Sequence, residues 1–131
     1  MLKRAQIGVV SDPQTGPLYA RVKDLYNAGV RIALGQDDIA DAYYPFGRNN
    51  MLEIAFLAAH LMWMNSRKEM EILYDLITTN AAQALGAEGH KLVEGGNADL
   101  VVLNAESVWE SIWNHEAPLY VIKNGKDITS R

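Results

Sequence analysis

Val30-Arg31-Ile32-Ala33-Leu34-Gly35-Gln36-Asp37-Asp38-Ile39-Ala40-Asp41-Ala42-Tyr43-Tyr44-Pro45-Phe46-Gly47 is the stretch whose reading decides the fold. Ile32, Ala33 and Leu34 make a short apolar run between Gly29 and Gly35, which reads as a strand. Two adjacent acids, Asp37 and Asp38, come just past its C-terminal end. A polar, aromatic loop follows, and an apolar helix is expected from about Asn50. Strand, acid, loop, helix is how an α/β barrel presents a catalytic group at the C-terminal ends of its strands.

Upstream, Ile7 to Val10 is a second apolar run, ended by Ser11-Asp12-Pro13 and a loop through Thr15-Gly16-Pro17. Leu18, Val22, Leu25 and Ala28 share a helical face, so a helix is expected over 18–28, stopped by Asn27 and Gly29. Strand, helix, strand with short connections is a βαβ unit, and its strands should be parallel. The expected fold class is therefore α/β.

Downstream, three spacings mark helix starts. Asn50 to Glu53 has capping-box spacing before an apolar helix running to about Met64. Ser66 to Glu69 repeats it before a Met70, Leu73, Ile77 stripe with Tyr74 beside it. Asn80 with Gln83 reads as a third cap, with Gly86 as the stop. Beyond Glu94-Gly95-Gly96-Asn97 the pattern changes. Leu100 to Leu103 reads as a buried-type strand and Leu119 to Lys123 as an alternating one, closed by an Asn124-Gly125 hairpin turn. Ser107 and Glu110 repeat the capping spacing, so Ser107 to Trp113 is expected to be a short helix. The expected division is 1–86 for the α/β part and 87–131 for the β appendage.

Composition bounds the function. At 131 residues there is room for one domain, and 49% hydrophobic content supplies a core. A net charge of −4 without a basic patch argues against nucleic acid. The longest apolar run, Ile54 to Met64, is interrupted by His60 and too short to span a bilayer, and no leader pattern follows Lys3 and Arg4. A cytoplasmic protein without membrane contact is expected. There is no cysteine, so neither disulfides nor thiolate metal sites arise.

The run Gly35 to Gly47 followed by Asn50-Met51-Leu52 resembles the cytosine deaminases of the amidohydrolase superfamily. Thr78-Thr79-Asn80-Ala81-Ala82-Gln83-Ala84-Leu85-Gly86, then Gly95-Gly96-Asn97-Ala98-Asp99-Leu100-Val101-Val102-Leu103, is similar to the C-terminal signature of that superfamily. The resemblance implies the C-terminal part of a metal-dependent (β/α)8 barrel: its last two strands, Ile7 to Val10 and Val30 to Leu34, and the helices after them, plus strands of a small β-sandwich subdomain. It implies Asp37 as metal ligand and proton shuttle, with Asp38 and Tyr43 lining the substrate pocket. The implied cofactor is a divalent metal, zinc or iron, and the implied reaction is hydrolytic deamination of cytosine or a related cyclic amidine.

Two departures bear on the substrate. Gln36 stands where these deaminases often carry His, and Ala42-Tyr43 replaces their usual Pro-Trp. The base pocket is then reshaped, toward another cyclic amidine or a urea-like ring. The family takes its other ligands from histidines on earlier strands, and the three histidines here, His60, His90 and His115, share no ligand spacing. The expectation is a C-terminal piece: a split-gene subunit, a truncated reading frame or an excised fragment. Alone it should hold no metal and be inactive; its expected partners are a separate N-terminal half, copies of itself in an oligomer, and a small nucleobase-like substrate.

Read from the residues alone, Asp37 is equally an acid capping a turn after a strand; the resemblance favours the metal. Asp38 caps the next turn or bonds the loop backbone if it does not bind substrate. Tyr43 and Tyr44 are otherwise loop aromatics on a barrel rim. His60 reads as a hydrogen-bonded helix residue, and Met62-Trp63-Met64 as core or interface. The competing function is a non-catalytic fragment or oligomerising interaction module. A neighbouring reading frame with the missing strands and a His-x-His pair would decide between the two.

Overall fold

The computed structural model describes every residue except 15–17, 38, 88 and 130–131. Strand β1 (Val9–Ser11) and strand β2 (Ile32–Leu34) pair in parallel, with Val9 opposite Ile32 and Ser11 opposite Leu34. Helix α1 (Val22–Asn27) connects them, completing the expected βαβ unit. It ends in a Schellman turn: Gly29, at φ 70°, donates to Tyr26 O, and Val30 donates to Leu25 O.

That helix is shorter than its apolar spacing predicts. Ala20 N–H donates to Ser11 Oγ at 3.0 Å, and the Tyr19 hydroxyl donates to Leu61 O at 2.8 Å. Both ties hold the segment before Val22 against the strand end and a distant helix, so it cannot wind. Leu18, expected on the helix face, is exposed.

Three helices follow: α2 (Met51–Leu61), α3 (Arg67–Ile77) and α4 (Thr79–Ala84). At α3 the capping box is complete, with Ser66 Oγ accepting from Glu69 N and Ser66 N–H donating to Glu69 Oε2. At α2 it is not. Asn50 Oδ1 accepts from Leu52 N, one residue earlier than a box requires, and Glu53 turns away to accept from Arg48 N. Asn80 is no cap either. It lies inside α4 and donates its amide to Ile32 O at 3.2 Å, tying the helix to β2. Gly86, at φ 65°, does end α4.

The core lies where α2 and α3 cross. Ile54, Ala55 and Ala58 from α2 meet Leu73 and Leu76 from α3, all fully buried. Leu76 takes the place expected of Ile77, which is half-buried. Ile32 and Leu34 join this core from the strand side. A fully buried aliphatic side chain contributes about 1.5–3 kcal/mol, so this cluster is the main stabilising term.

The last third forms an antiparallel sheet of β3 (Leu100–Val102), β4 (Tyr120–Lys123) and β5 (Lys126–Asp127), in that order. Asn124 and Gly125, both at positive φ, make the predicted two-residue hairpin turn. Helix α5 (Val108–Asn114), between β3 and β4, starts at Ser107, whose Oγ accepts from Glu110 N. Its Ile112 is fully buried in the α2–α3 core. The sheet itself is not buried. Val101 and Val102 are exposed, so the continuous apolar run Leu100 to Leu103 does not mark an interior strand. No helix among the described residues is long and apolar enough to cross a membrane.

Candidate active site at the strand ends

The two parallel strands end on the same side, and the ladder continues one step beyond them: Gly35 N–H donates to Ser11 O at 3.0 Å. A Cβ on Gly35 would come within 2.9 Å of Val10 Cγ1, so a side chain there would have to displace that of Val10. On the neighbouring strand, Asp12 Oδ1 accepts from Gln14 N at 2.9 Å and fixes the turn after β1.

Asp37 lies three residues past the end of β2, exposed, and accepts no hydrogen bond from the described residues. Asp38, the second expected site acid, falls outside the described residues. Tyr43 stands in the same loop and is 78% exposed. Asp41 holds the loop's shape by accepting from both Tyr43 N and Tyr44 N. Tyr44 and Phe46 meet edge to face, with ring centroids 5.9 Å apart. Among the described residues no hydrogen bond joins Asp37 to Tyr43.

The histidines lie elsewhere. His60 Nδ1 donates to Phe56 O within α2, and His115 Nδ1 donates to Trp113 O past α5. Phe56 packs between the two rings, 4.5 Å from His60 and 4.3 Å from His115. His90 Nδ1 donates to Ala87 O in a turn. Among the described residues no three histidine, aspartate or glutamate side chains form a group able to hold a metal ion. The described residues alone are therefore not a complete site for zinc or iron; among them Asp37 offers one carboxylate where a catalytic ion needs about three donors.

The model of the amidohydrolase family matches residues 3–128.

The chain belongs to the amidohydrolase family.

It is 34% identical over 119 residues to an N-isopropylammelide isopropyl amidohydrolase of Pseudomonas sp. (strain ADP), spanning 90% of this chain and 28% of that one. It is 30% identical over 120 residues to an imidazolonepropionase of Bacillus velezensis, spanning 86% of this chain and 26% of that one. The crystal structure of a 5-methylcytosine deaminase from Klebsiella pneumoniae liganded with phosphonocytosine superposes with a TM-score of 0.87 at 30% identity, over 99% of this chain and 35% of that one. An N-isopropylammelide isopropylaminohydrolase from Burkholderia multivorans gives 0.83 at 26% identity, over 93% of this chain and 31% of that one. These neighbours are amidohydrolase TIM-barrel enzymes, and this amidohydrolase chain spans about a third of their length.

Two features escaped the sequence reading. One is a set of buried polar atoms on Asp12, Gln14 and Gln36, just past the strands, without a hydrogen-bond partner among the described residues. The other is a groove of about 650 Å³ lined by Arg48, Asn50, Tyr74, Thr78, His115 and Val121, among others, which includes neither Asp37 nor Tyr43. The visible signal for the first was three polar residues directly after apolar strands. The sequence reading marks Gln36 only as a departure from the deaminases' usual His and leaves Gln14 unremarked.

Proposed function

We propose that this chain supplies the Asp37-bearing strand ends of a hydrolase that removes an amino or alkylamino group from a cyclic amidine such as cytosine. One observation carries the reading: Asp37 leaves the end of β2 beside a parallel neighbour, in a chain of the amidohydrolase family. β1 and β2 are then the last two strands of the barrel, and β3 to β5 belong to the small β-sandwich. The structural neighbour named for 5-methylcytosine and the relative named for N-isopropylammelide both bear on rings with an exocyclic nitrogen.

The chemistry is hydrolytic. Water adds to the ring carbon that carries the exocyclic nitrogen, the C–N bond breaks, and ammonia or an amine leaves. Asp37 takes the proton from the attacking water and returns it to the leaving nitrogen, which raises the nucleophilicity of the water and the leaving ability of the nitrogen. A zinc or iron ion, when held, supplies Lewis-acid activation of the water. Asp37 is this chain's donor to it, and the remaining donors come from a second polypeptide half. Asp38 and Tyr43 shape the ring pocket, with Tyr43 and Gln36 shifting it away from cytosine itself.

Open surface on the strand pair supports such a partner. Val10, in register with buried Ala33, is 62% exposed, and Ile7 is exposed as well. The experiment co-expresses this chain with a half carrying the histidines and measures ammonia release and bound metal. Both should appear together and be absent from the chain alone. Asp37→Ala and Asp37→Asn should each lower the assembled rate by about 10²–10⁴-fold. Stoichiometric metal on the chain alone, lost in Asp37→Ala, would overturn the shared-site reading.

The alternative is a non-catalytic module that self-associates. The exposure of Val101, Leu119 and Tyr120 on one sheet favours it. A monomer by light scattering at high concentration would remove it.

A further inference from the structure

Four buried side-chain polar atoms have no hydrogen-bond partner among the described residues: Asp12 Oδ2, Gln14 Nε2, Gln14 Oε1 and Gln36 Nε2. All four fall in the short segments that directly follow β1 and β2. Elsewhere buried polar side chains are paired: Ser11 Oγ accepts from Ala20 N, Glu53 from Arg48 N, and Ser111 Oγ donates to Val108 O. Unpaired buried polar groups are costly, and a fold tolerates them where another function needs them.

Gln14 is the decisive one. It is only 8% exposed, and neither end of its amide has a hydrogen-bond partner among the described residues. Its backbone N–H is spent on Asp12 Oδ1, so the turn is held while the side chain is left without a partner. Asp12 and Gln36 are half-buried. Because the Gln14 amide makes no hydrogen bond to the described residues, swinging toward a ligand breaks none with them.

We infer that Gln14, Gln36 and Asp12 read the edge of the ring, and that the ring is a planar urea or lactam type presenting N–H and C=O side by side. The Gln14 amide offers one donor and one acceptor at a fixed separation, the complement of such an edge. Gln36 Nε2 donates to a second carbonyl or ring nitrogen, and Asp12 Oδ2 accepts from a further N–H. A ring without N–H groups leaves Asp12 unpaired, and an apolar ring leaves all three unpaired. The choice of ligand class rests on the proposed function, whereas the placement of the reading groups rests on the unpaired atoms.

The test uses the full chain, thermal unfolding, and two probes: uracil, which carries the N–H and C=O edge, and pyrimidine, which carries neither. Uracil at millimolar concentration should raise the melting temperature and pyrimidine should not. Gln14→Leu should raise the melting temperature of the free chain by about 4 °C, because it removes two unpaired buried polar atoms, and should abolish the uracil shift. Gln36→Met, at a half-buried position, should weaken that shift about tenfold in uracil concentration without unfolding the chain. A lower melting temperature for free Gln14→Leu would show the amide to be structural and overturn the inference. So would equal shifts from both probes, or none from uracil. In the assembled enzyme, ammonia release by Gln14→Leu at unchanged KM overturns this inference alone. No ammonia release by any assembly, with the uracil shift present and lost in Gln14→Leu, overturns the proposed function and leaves this inference standing.

Discussion

The helical half and the three-stranded sheet are held by different physics. Leu73 and Leu76 on α3 are fully buried against Ile54 and Ala58 of α2, and Ile112 of α5 closes the same cluster. In the sheet, Val101 is 59% exposed, and Tyr120, paired with Val102, is exposed as well. What holds the sheet is local: the Asn124-Gly125 turn, and Asp99, which accepts from Asn124 N and from the Lys123 ammonium. These bonds hold the Asp99 carboxyl below its usual range, the backbone donor first and Lys123 second. Burial that a helix bundle supplies for itself, a narrow sheet must obtain from outside or do without. The comparison teaches that stability and exposed apolar surface are separated along this chain rather than spread through it.

The largest test of that separation is a matched pair. Leu73→Ala should cost about 2–5 kcal/mol, because it leaves a cavity in a closed core. Val101→Ala should cost under about 0.5 kcal/mol. Urea unfolding of both variants checks this, and a comparable loss in Val101→Ala would mean that the sheet is covered in solution.

A smaller effect sharpens the picture at the end of α2. Trp63 sits at φ 53° in a Schellman turn, donating to His60 O while Met64 donates to Ala59 O. Glycine is the residue that position favours, and the Trp63 side chain is mostly exposed. Trp63→Gly should therefore stabilise the chain by about 1 kcal/mol, read as a higher melting temperature.

The smallest effect is pH-dependent. Lys23, then the Ser66 side chain and backbone, lower the Glu69 carboxyl from 4.5 to about 2. A lowered carboxyl stabilises the folded state fully above its ordinary value and loses that contribution as pH falls through the window from 4.5 to about 2. Wild type and Glu69→Gln should thus differ most above that window and converge at its lower end. Half-exposed Lys23 keeps the difference small and sensitive to salt. A gap that widened toward low pH would refute the assignment.

What was legible in the sequence was what short-range rules decide. The Ser66 and Glu69 capping box, the Asn124-Gly125 turn and the stops at Gly29 and Gly86 depend on residues close in sequence, and the parallel strand pair follows from the strand–helix–strand order. What escaped depends on distant partners. Asn50 has the spacing of a box, but its amide nitrogen donates to His115 O and Glu116 O, 65 and 66 residues away. Asn80 serves Ile32, and the start of α1 is set by Ser11 and Leu61. Leu100 to Leu103 looked interior because apolar content records what a strand could bury, not what lies over it. At the site, Asp37 stood out by type and position, while the unpaired state of Gln14 could appear only once its surroundings were known.

The bond from Asn80 to Ile32 has a further consequence. Carbonyls alternate sides along a strand. Arg31 O accepts from Val9 N, toward β1, so Ile32 O looks toward the outer edge of β2. A bare edge there could template the same strand of another molecule and start a growing stack. The side-chain amide of Asn80 occupies that carbonyl first, as a cork closes a bottle that nothing else has yet been poured into, and aggregation through this edge loses one of its first rungs.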